Sequence, residues 1–179
     1  MNKIILKNFV TLLIFCSLTF VSTAEEKLNK NSPIINQEET EINAFAGIFD
    51  FSDPKQNAGL FGVQHQTDEL WRKTFLGKLS PVTGGFLTEN NAYYLYSGVQ
   101  SEIDLGLVTF TPSLAPGYYN YGDGKDLGSS LEFKTEVQMS LNLSDSTQFG
   151  MSYNHISNAG LGTKNPGANS YMFNFLKQF

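Results

Sequence analysis

The chain has 179 residues, room for one domain, and a formal charge of −5. That balance argues against nucleic-acid binding and offers no polybasic patch for a membrane surface. Its single cysteine, Cys16, excludes a disulfide framework.

The first 24 residues read as an export signal. Lys3 and Lys7 form a basic start, Phe9 to Val21 an apolar core, and Ser22-Thr23-Ala24 a small-residue cleavage site. The apolar run of about 13 residues is shorter than the roughly 20 that a spanning helix needs, a retained anchor being the competing reading. Phe15 stands where a lipoprotein site would carry a small residue before Cys16. Cleavage would remove Cys16, together with Lys3 and Lys7 and no acid, so −5 becomes −7. Residues 25–42 follow as a polar segment (Glu25, Glu26, Lys27, Lys30, Glu38, Glu39, with Pro33 inside), too poor in apolar residues to order itself.

From Asn43 onward, strands alternate with Gly, Asn, Asp and Pro punctuation. Eight are predicted, over 43–51, 58–66, 78–88, 92–103, 107–118, 130–143, 147–157 and 169–179. Residues 68–76 fit a strand poorly and are expected to form a short interfacial helix with Trp71 at headgroup level. The sixth strand carries the plainest pattern. Leu131, Phe133, Thr135, Val137, Met139, Leu141 and Leu143 share one face, and Glu132, Lys134, Glu136, Gln138, Ser140 and Asn142 the other.

A soluble barrel or sandwich would show the same dyad with its apolar face inward, so the export signal and the last strand decide. There Tyr171, Phe173, Phe175 and Phe179 share a face, interrupted by Lys177, which can snorkel to the interface. A terminal aromatic of this kind resembles the signal by which outer-membrane assembly machinery recognises its barrels. Twenty-four aromatics, many at strand ends, would supply the girdles. The expected fold is therefore all-β: an eight-stranded antiparallel transmembrane barrel over 43–179, its interior filled by side chains and not a channel.

With both termini in the periplasm, the connection over 158–168 faces the cell exterior. His155 and Ser157 then lie at the outer-leaflet end of the seventh strand, on the outward face shared with Met151 and Tyr153. A serine needs a base to take its proton, and the base needs a third group to orient its ring. His155 can be that base and Ser157 the nucleophile. The Asn158-Ala159-Gly160 turn can present amide donors to an oxyanion. A bare His-x-Ser pair has little specificity, however, and a girdle histidine beside a strand-end serine reads the same way.

The run His155-Ile156-Ser157-Asn158-Ala159-Gly160-Leu161-Gly162, followed by Asn165-Pro166-Gly167, resembles the signature of the outer-membrane lipid A 3-O-deacylase family. Pro116-Gly117-Tyr118-Tyr119, Gly122 to Gly128, Leu131-Glu132-Phe133 and Pro81 to Gly85 are similar to other blocks of that family, in order. The resemblance implies an eight-stranded barrel whose lipid-facing site hydrolyses the ester at position 3 of lipid A (lipopolysaccharide). By position it implies His155 as base, Ser157 as nucleophile and Asn158 in the oxyanion hole. The family's orienting acid is a glutamate two residues after the Asn-Pro-Gly turn. Here Asn169 stands in its place, able to hold the imidazole tautomer but carrying no charge.

Two exterior-loop acids, Asp123 and Asp126, are the possible substitutes, although Gly122-Asp123-Gly124 is also ordinary turn chemistry. Glu132 and Glu136 face the lumen by parity, and Asp145 lies at a periplasmic turn. His65 is read as structural. No metal-ligand cluster or phosphate-cradling motif is present, and ester hydrolysis requires no cofactor. Two other readings stay open: a catalytically impaired relative with a structural or lipid-binding role, for which Asn169 speaks, and an acyltransferase or phospholipase barrel.

Overall fold

The computed structural model describes residues 40–67, 72–74 and 77–179. Its strands are β1 (Thr40–Phe49), β2 (Ala58–Thr67), β3 (Arg72–Thr74), β4 (Gly77–Thr88), β5 (Tyr93–Asp104), β6 (Val108–Asn120), β7 (Leu131–Ser144), β8 (Thr147–Ser157) and β9 (Ala168–Gln178). β2 pairs with β4, and β9 returns to β1, all antiparallel. The eight long strands therefore close into a barrel, and closure leaves them no open edge. Their ends fall within three residues of the predicted spans.

Two expectations are corrected. Over its described part, 68–76 is not a helix: Arg72–Thr74 pairs antiparallel with Gly77–Leu79. Gly77, at a φ of 105° that side chains rarely permit, returns the chain into β4. Trp71 lies outside the described residues, as do the export signal and most of the polar segment. That segment also ends earlier than expected, because Thr40, Glu41 and Ile42 pair with Thr67, Gln66 and His65. Ile42 extends the outward row, and Glu41 accepts a hydrogen bond from the Gln66 amide at the barrel mouth.

Alternation sorts the wall into two chemistries. On β7, Glu132, Lys134, Glu136, Gln138 and Ser140 are buried in the lumen, whereas Val137, Met139 and Leu141 lie exposed outside. Phe61, Val63, Leu95, Leu114 and Phe173 continue the outward apolar surface. A polar interior within an apolar exterior is the inverse of a soluble barrel and the arrangement of a transmembrane one.

The lumen is filled toward the end that carries the 50–57, 121–130 and 158–167 loops. Phe49, Phe86, Tyr94, Tyr96 and Tyr119 pack there with ring centroids 5.4–6.5 Å apart. The buried Tyr94 hydroxyl reaches the carbonyls of Ala115 and Glu132 at 2.9 and 3.0 Å. The opposite mouth is polar and holds a cavity of about 500 Å³ edged by Glu41, Lys78, Gln100, Asp104 and Gln178. The aromatic plug is the floor on which the C-terminal end of β8 rests.

Candidate active site

Ile156 is fully buried within that plug. Because a strand alternates, anchoring Ile156 inward turns both its neighbours outward. His155 and Ser157 are half-buried on the outer face beside the exposed Met151 and Tyr153. His155 stands directly opposite Asn169 of β9, and Ser157 opposite Phe133 of β7.

The imidazole is held from one side. His155 Nδ1 lies 2.8 Å from Asn169 Oδ1, an oxygen that also accepts the Tyr153 hydroxyl at 2.8 Å. Asn169 Nδ2 donates to Ser52 Oγ at 3.1 Å, and the Ser52 hydroxyl donates to Asp50 Oδ1 at 3.0 Å. Asp50 is fully enclosed and takes Lys125 Nζ on its other oxygen at 2.6 Å. The backbone closes the same junction: the Asn169 amide points at Asp50 Oδ1 (3.4 Å), and the Phe51 amide donates to the Asn169 carbonyl (3.0 Å). Gly167, at a φ of 62°, packs on the far edge of the ring, where a Cβ would come within 2.8 Å of His155 Cε1 and 3.3 Å of Nε2. Ser157 shares the outward face, and its hydroxyl makes no hydrogen bond to the imidazole among the described residues.

The adjoining turn is tightly wired. The Asn158 amide donates to Asn165 Oδ1 at 3.1 Å, and the Gly160 amide to Asn158 Oδ1 at 3.0 Å. The buried Asn158 side chain donates to the carbonyls of Leu127 and Lys164, both at 2.8 Å. Of the three amides in this turn, that of Ala159, an exposed residue at a φ of 54°, is the one without a partner among the described residues.

Asp123 and Asp126 do not touch the imidazole. Asp123 accepts the Asn91 amide at 3.0 Å. Asp126 pairs with Lys164 at 2.9 Å and accepts the Gly128 amide at 2.8 Å. The hydrogen bond from Lys164 and that amide hold its carboxyl below the usual range. The acid beside the site is Asp50, which sequence reasoning missed along with Ser52, Lys125 and the packing role of Gly167. Next to the imidazole, Phe51, Tyr153 and Tyr171 form an exposed aromatic patch, with centroids 4.3 Å (Phe51–Tyr171) and 5.3 Å (Tyr153–Tyr171) apart. No group of three or more His, Cys, Asp or Glu side chains is placed to hold a metal ion among the described residues.

A family model described as lipid A 3-O-deacylase (PagL) matches residues 57–177, which contain His155, Ser157 and Asn169 but neither Asp50 nor Ser52. The fold is similar to the crystal structure of the outer membrane enzyme PagL, at 21% identity and a TM-score of 0.59, covering 76% of this chain and 98% of that one. It is also similar to Neisserial surface protein A, at 10% identity and a TM-score of 0.53, covering 79% and 96%. A de novo designed transmembrane β-barrel matches at 7% identity and a TM-score of 0.50, covering 79% and 96%. At these identities the likeness is one of fold. No curated protein sequence matches the chain.

Proposed function

We propose, from the premise that the chain belongs to the lipid A 3-O-deacylase (PagL) family, that it is a serine esterase of the outer membrane removing the 3-linked acyl chain of lipid A. The observation that carries this reading is the 2.8 Å contact between His155 Nδ1 and Asn169 Oδ1. It supplies an oriented base on the lipid-facing wall, two residues from a serine. A nucleophile facing bilayer and not lumen suits a substrate that is itself a lipid.

In the reaction, rotation about the Ser157 Cα–Cβ bond brings Oγ toward Nε2. Nε2 takes its proton while Oγ attacks the ester carbonyl. The Ala159 amide donates to the developing oxyanion. The sugar 3-hydroxyl leaves with the proton from the imidazolium, and water then releases the acyl group from Ser157 by the same route. No cofactor enters. The Phe51–Tyr153–Tyr171 patch gives acyl chains an apolar bed beside the ring. Export, signal cleavage and insertion by the assembly machinery would place the 158–167 loop outside the cell.

One observation favours a second reading, a catalytically impaired barrel with a structural or lipid-binding role. Asn169 leaves the imidazolium without an adjacent negative charge. Mass spectrometry of lipid A from cells making the protein, beside cells making Ser157→Ala, separates the two. Loss of one 3-linked hydroxyacyl chain that depends on the serine is the expected result. An unchanged spectrum, with the barrel folded in the outer membrane, moves the assignment to the impaired relative.

A further inference from the structure

The side chains behind His155 form a chain of hydrogen bonds whose direction is set at one end. The Asp50 carboxylate, paired with Lys125 at 2.6 Å, can only accept. The single hydroxyl proton of Ser52 therefore points to Asp50 Oδ1 (3.0 Å), and Ser52 Oγ is left to accept from its other neighbour. That neighbour is Asn169 Nδ2, at 3.1 Å. With its nitrogen committed to Ser52, the Asn169 amide turns Oδ1 toward His155. A carbonyl oxygen can only accept, so Nδ1 must carry a proton, and in the neutral imidazole Nε2 is then bare.

Asn169 alone imposes no such order. Turned by 180°, its nitrogen would face Nδ1 and demand the opposite tautomer, in which Nε2 is protonated and useless as a base. Tyr153 does not break the tie, because a phenol can donate or accept. The asymmetry comes from the acceptor-only group two links away.

We propose that Asp50 is a positioning residue that fixes the His155 proton on Nδ1 through Ser52 and Asn169, supplying by relay the order that a carboxylate at position 169 would supply directly. This rests on the reading of His155 as the general base. Asp50 and Ser52 lie in the loop between β1 and β2, outside the stretch that the family model matches.

The test reads the tautomer itself. Of the two histidines, His65 is removed by His65→Gln, and His155 is then observed by ¹⁵N NMR of the histidine-labelled barrel in micelles, above the imidazole titration range. The Nδ1–H form is expected to dominate. Asp50→Asn, and separately Ser52→Ala, are expected to move the population toward Nε2–H, and Asn169→Glu added to Asp50→Asn to restore Nδ1–H. Ser52→Ala leaves the Asp50–Lys125 pair in place, so its shift is not a collapsed loop. An unchanged tautomer in either single variant overturns the relay.

Where wild-type hydrolysis is present, Asp50→Asn is expected to lower kcat by about tenfold or more, the scale of lost outer-shell orientation. In the Asn169→Glu background its effect should shrink to under about twofold, whereas equal losses in both backgrounds mean a merely structural role. A tautomer shift without serine-dependent hydrolysis retains the relay and removes the esterase. Serine-dependent hydrolysis with an indifferent tautomer does the reverse.

Discussion

Among the described residues two enclosed lysine–carboxylate pairs anchor this barrel, and they are wired differently. In the lumen, Lys134 and Glu136 meet at 3.2 Å, with Lys134 Nζ 3.9 Å from the Tyr96 ring centroid. Gln64 Oε1 takes both Tyr96 (2.8 Å) and Lys134 (3.4 Å), so these three side chains close a ring, from which the Gln64 amide leads on to Gln66 (3.1 Å) inside the lumen. At the loop end, Lys125 and Asp50 meet at 2.6 Å, and from Asp50 a line runs outward through Ser52 and Asn169 to the half-buried His155. A closed polar network spends its directionality inside the wall and specifies packing. An open-ended one delivers its directionality to a side chain at the surface. The same chemical pair thus holds a fold in one place and orients a ring in the other.

The difference is broken most sharply by removing the end of the open line. His155→Ala is expected to lower serine-dependent deacylation by about 10⁴-fold or more, without changing the heat-modifiable mobility of the folded barrel. Comparable hydrolysis in the variant would remove His155 from the chemistry. Lys134→Met attacks the closed network and should do the converse. It leaves Glu136 enclosed without its cation, a loss of about 3–5 kcal/mol in denaturant unfolding from lipid vesicles, while the folded fraction keeps its specific activity. Adding Glu136→Leu should recover most of that stability. If the double variant stays as weak as the single one, packing volume and not charge pairing is what Lys134 contributes.

Much of the closed network was legible in the sequence, and little of the open one was. The alternation over 131–143 places Lys134 and Glu136 on one face of β7, because strand parity is a local rule with a period of two. Ile156 between His155 and Ser157 obeys the same rule, which is why the outward facing of that pair could be read from its neighbours. Asp50 breaks the rule. Taken as part of a strand over 43–51, it is merely one more alternating residue. The strand in fact stops at Phe49, and Asp50 adopts a φ of 48°, so its side chain leaves the strand's parity and reaches a residue 119 positions away. The Ser52-Asp53-Pro54 turn residues were the available hint that the strand ended early. The turn after Ser157 shows the same limit. Its residue types indicated amide donors, but only the fold shows that Asn165 and the Asn158 side chain occupy two of them.

Gly167→Ala probes the other edge of the imidazole. The added Cβ would stand 2.8 Å from Cε1 at a backbone φ that already strains a side chain, so the ring must shift. A displacement on the order of 1 Å costs about a hundredfold in rate, with a stability loss of roughly 1–2 kcal/mol from the left-handed backbone. Kinetics and unfolding measured on the same preparation test both numbers. An unaltered rate would mean that the imidazole position seen here is not the working one.

Asn169→Glu sharpens the comparison most finely, because it turns the open line into a direct carboxylate–imidazole contact. The ionised glutamate would stabilise the imidazolium by charge, which the amide cannot do. The gain is bounded from above, since Asn169 already sets the ring through a 2.8 Å hydrogen bond, and tautomer loss forms much of the penalty when a triad acid becomes an amide. It is reduced further by the Asp50 carboxylate, 3.4 Å from the residue 169 amide, which disfavours a second negative charge nearby. The net expectation is a rise of about tenfold in kcat, on the order of 1.4 kcal/mol, with little change in KM because the contact is strengthened only as charge develops on the ring. A rise in KM with kcat unchanged would place residue 169 in lipid binding. A fall in kcat would mean that the Ser52–Asn169 arrangement is already adapted to the amide, and that this barrel has exchanged a charged triad for a directed one.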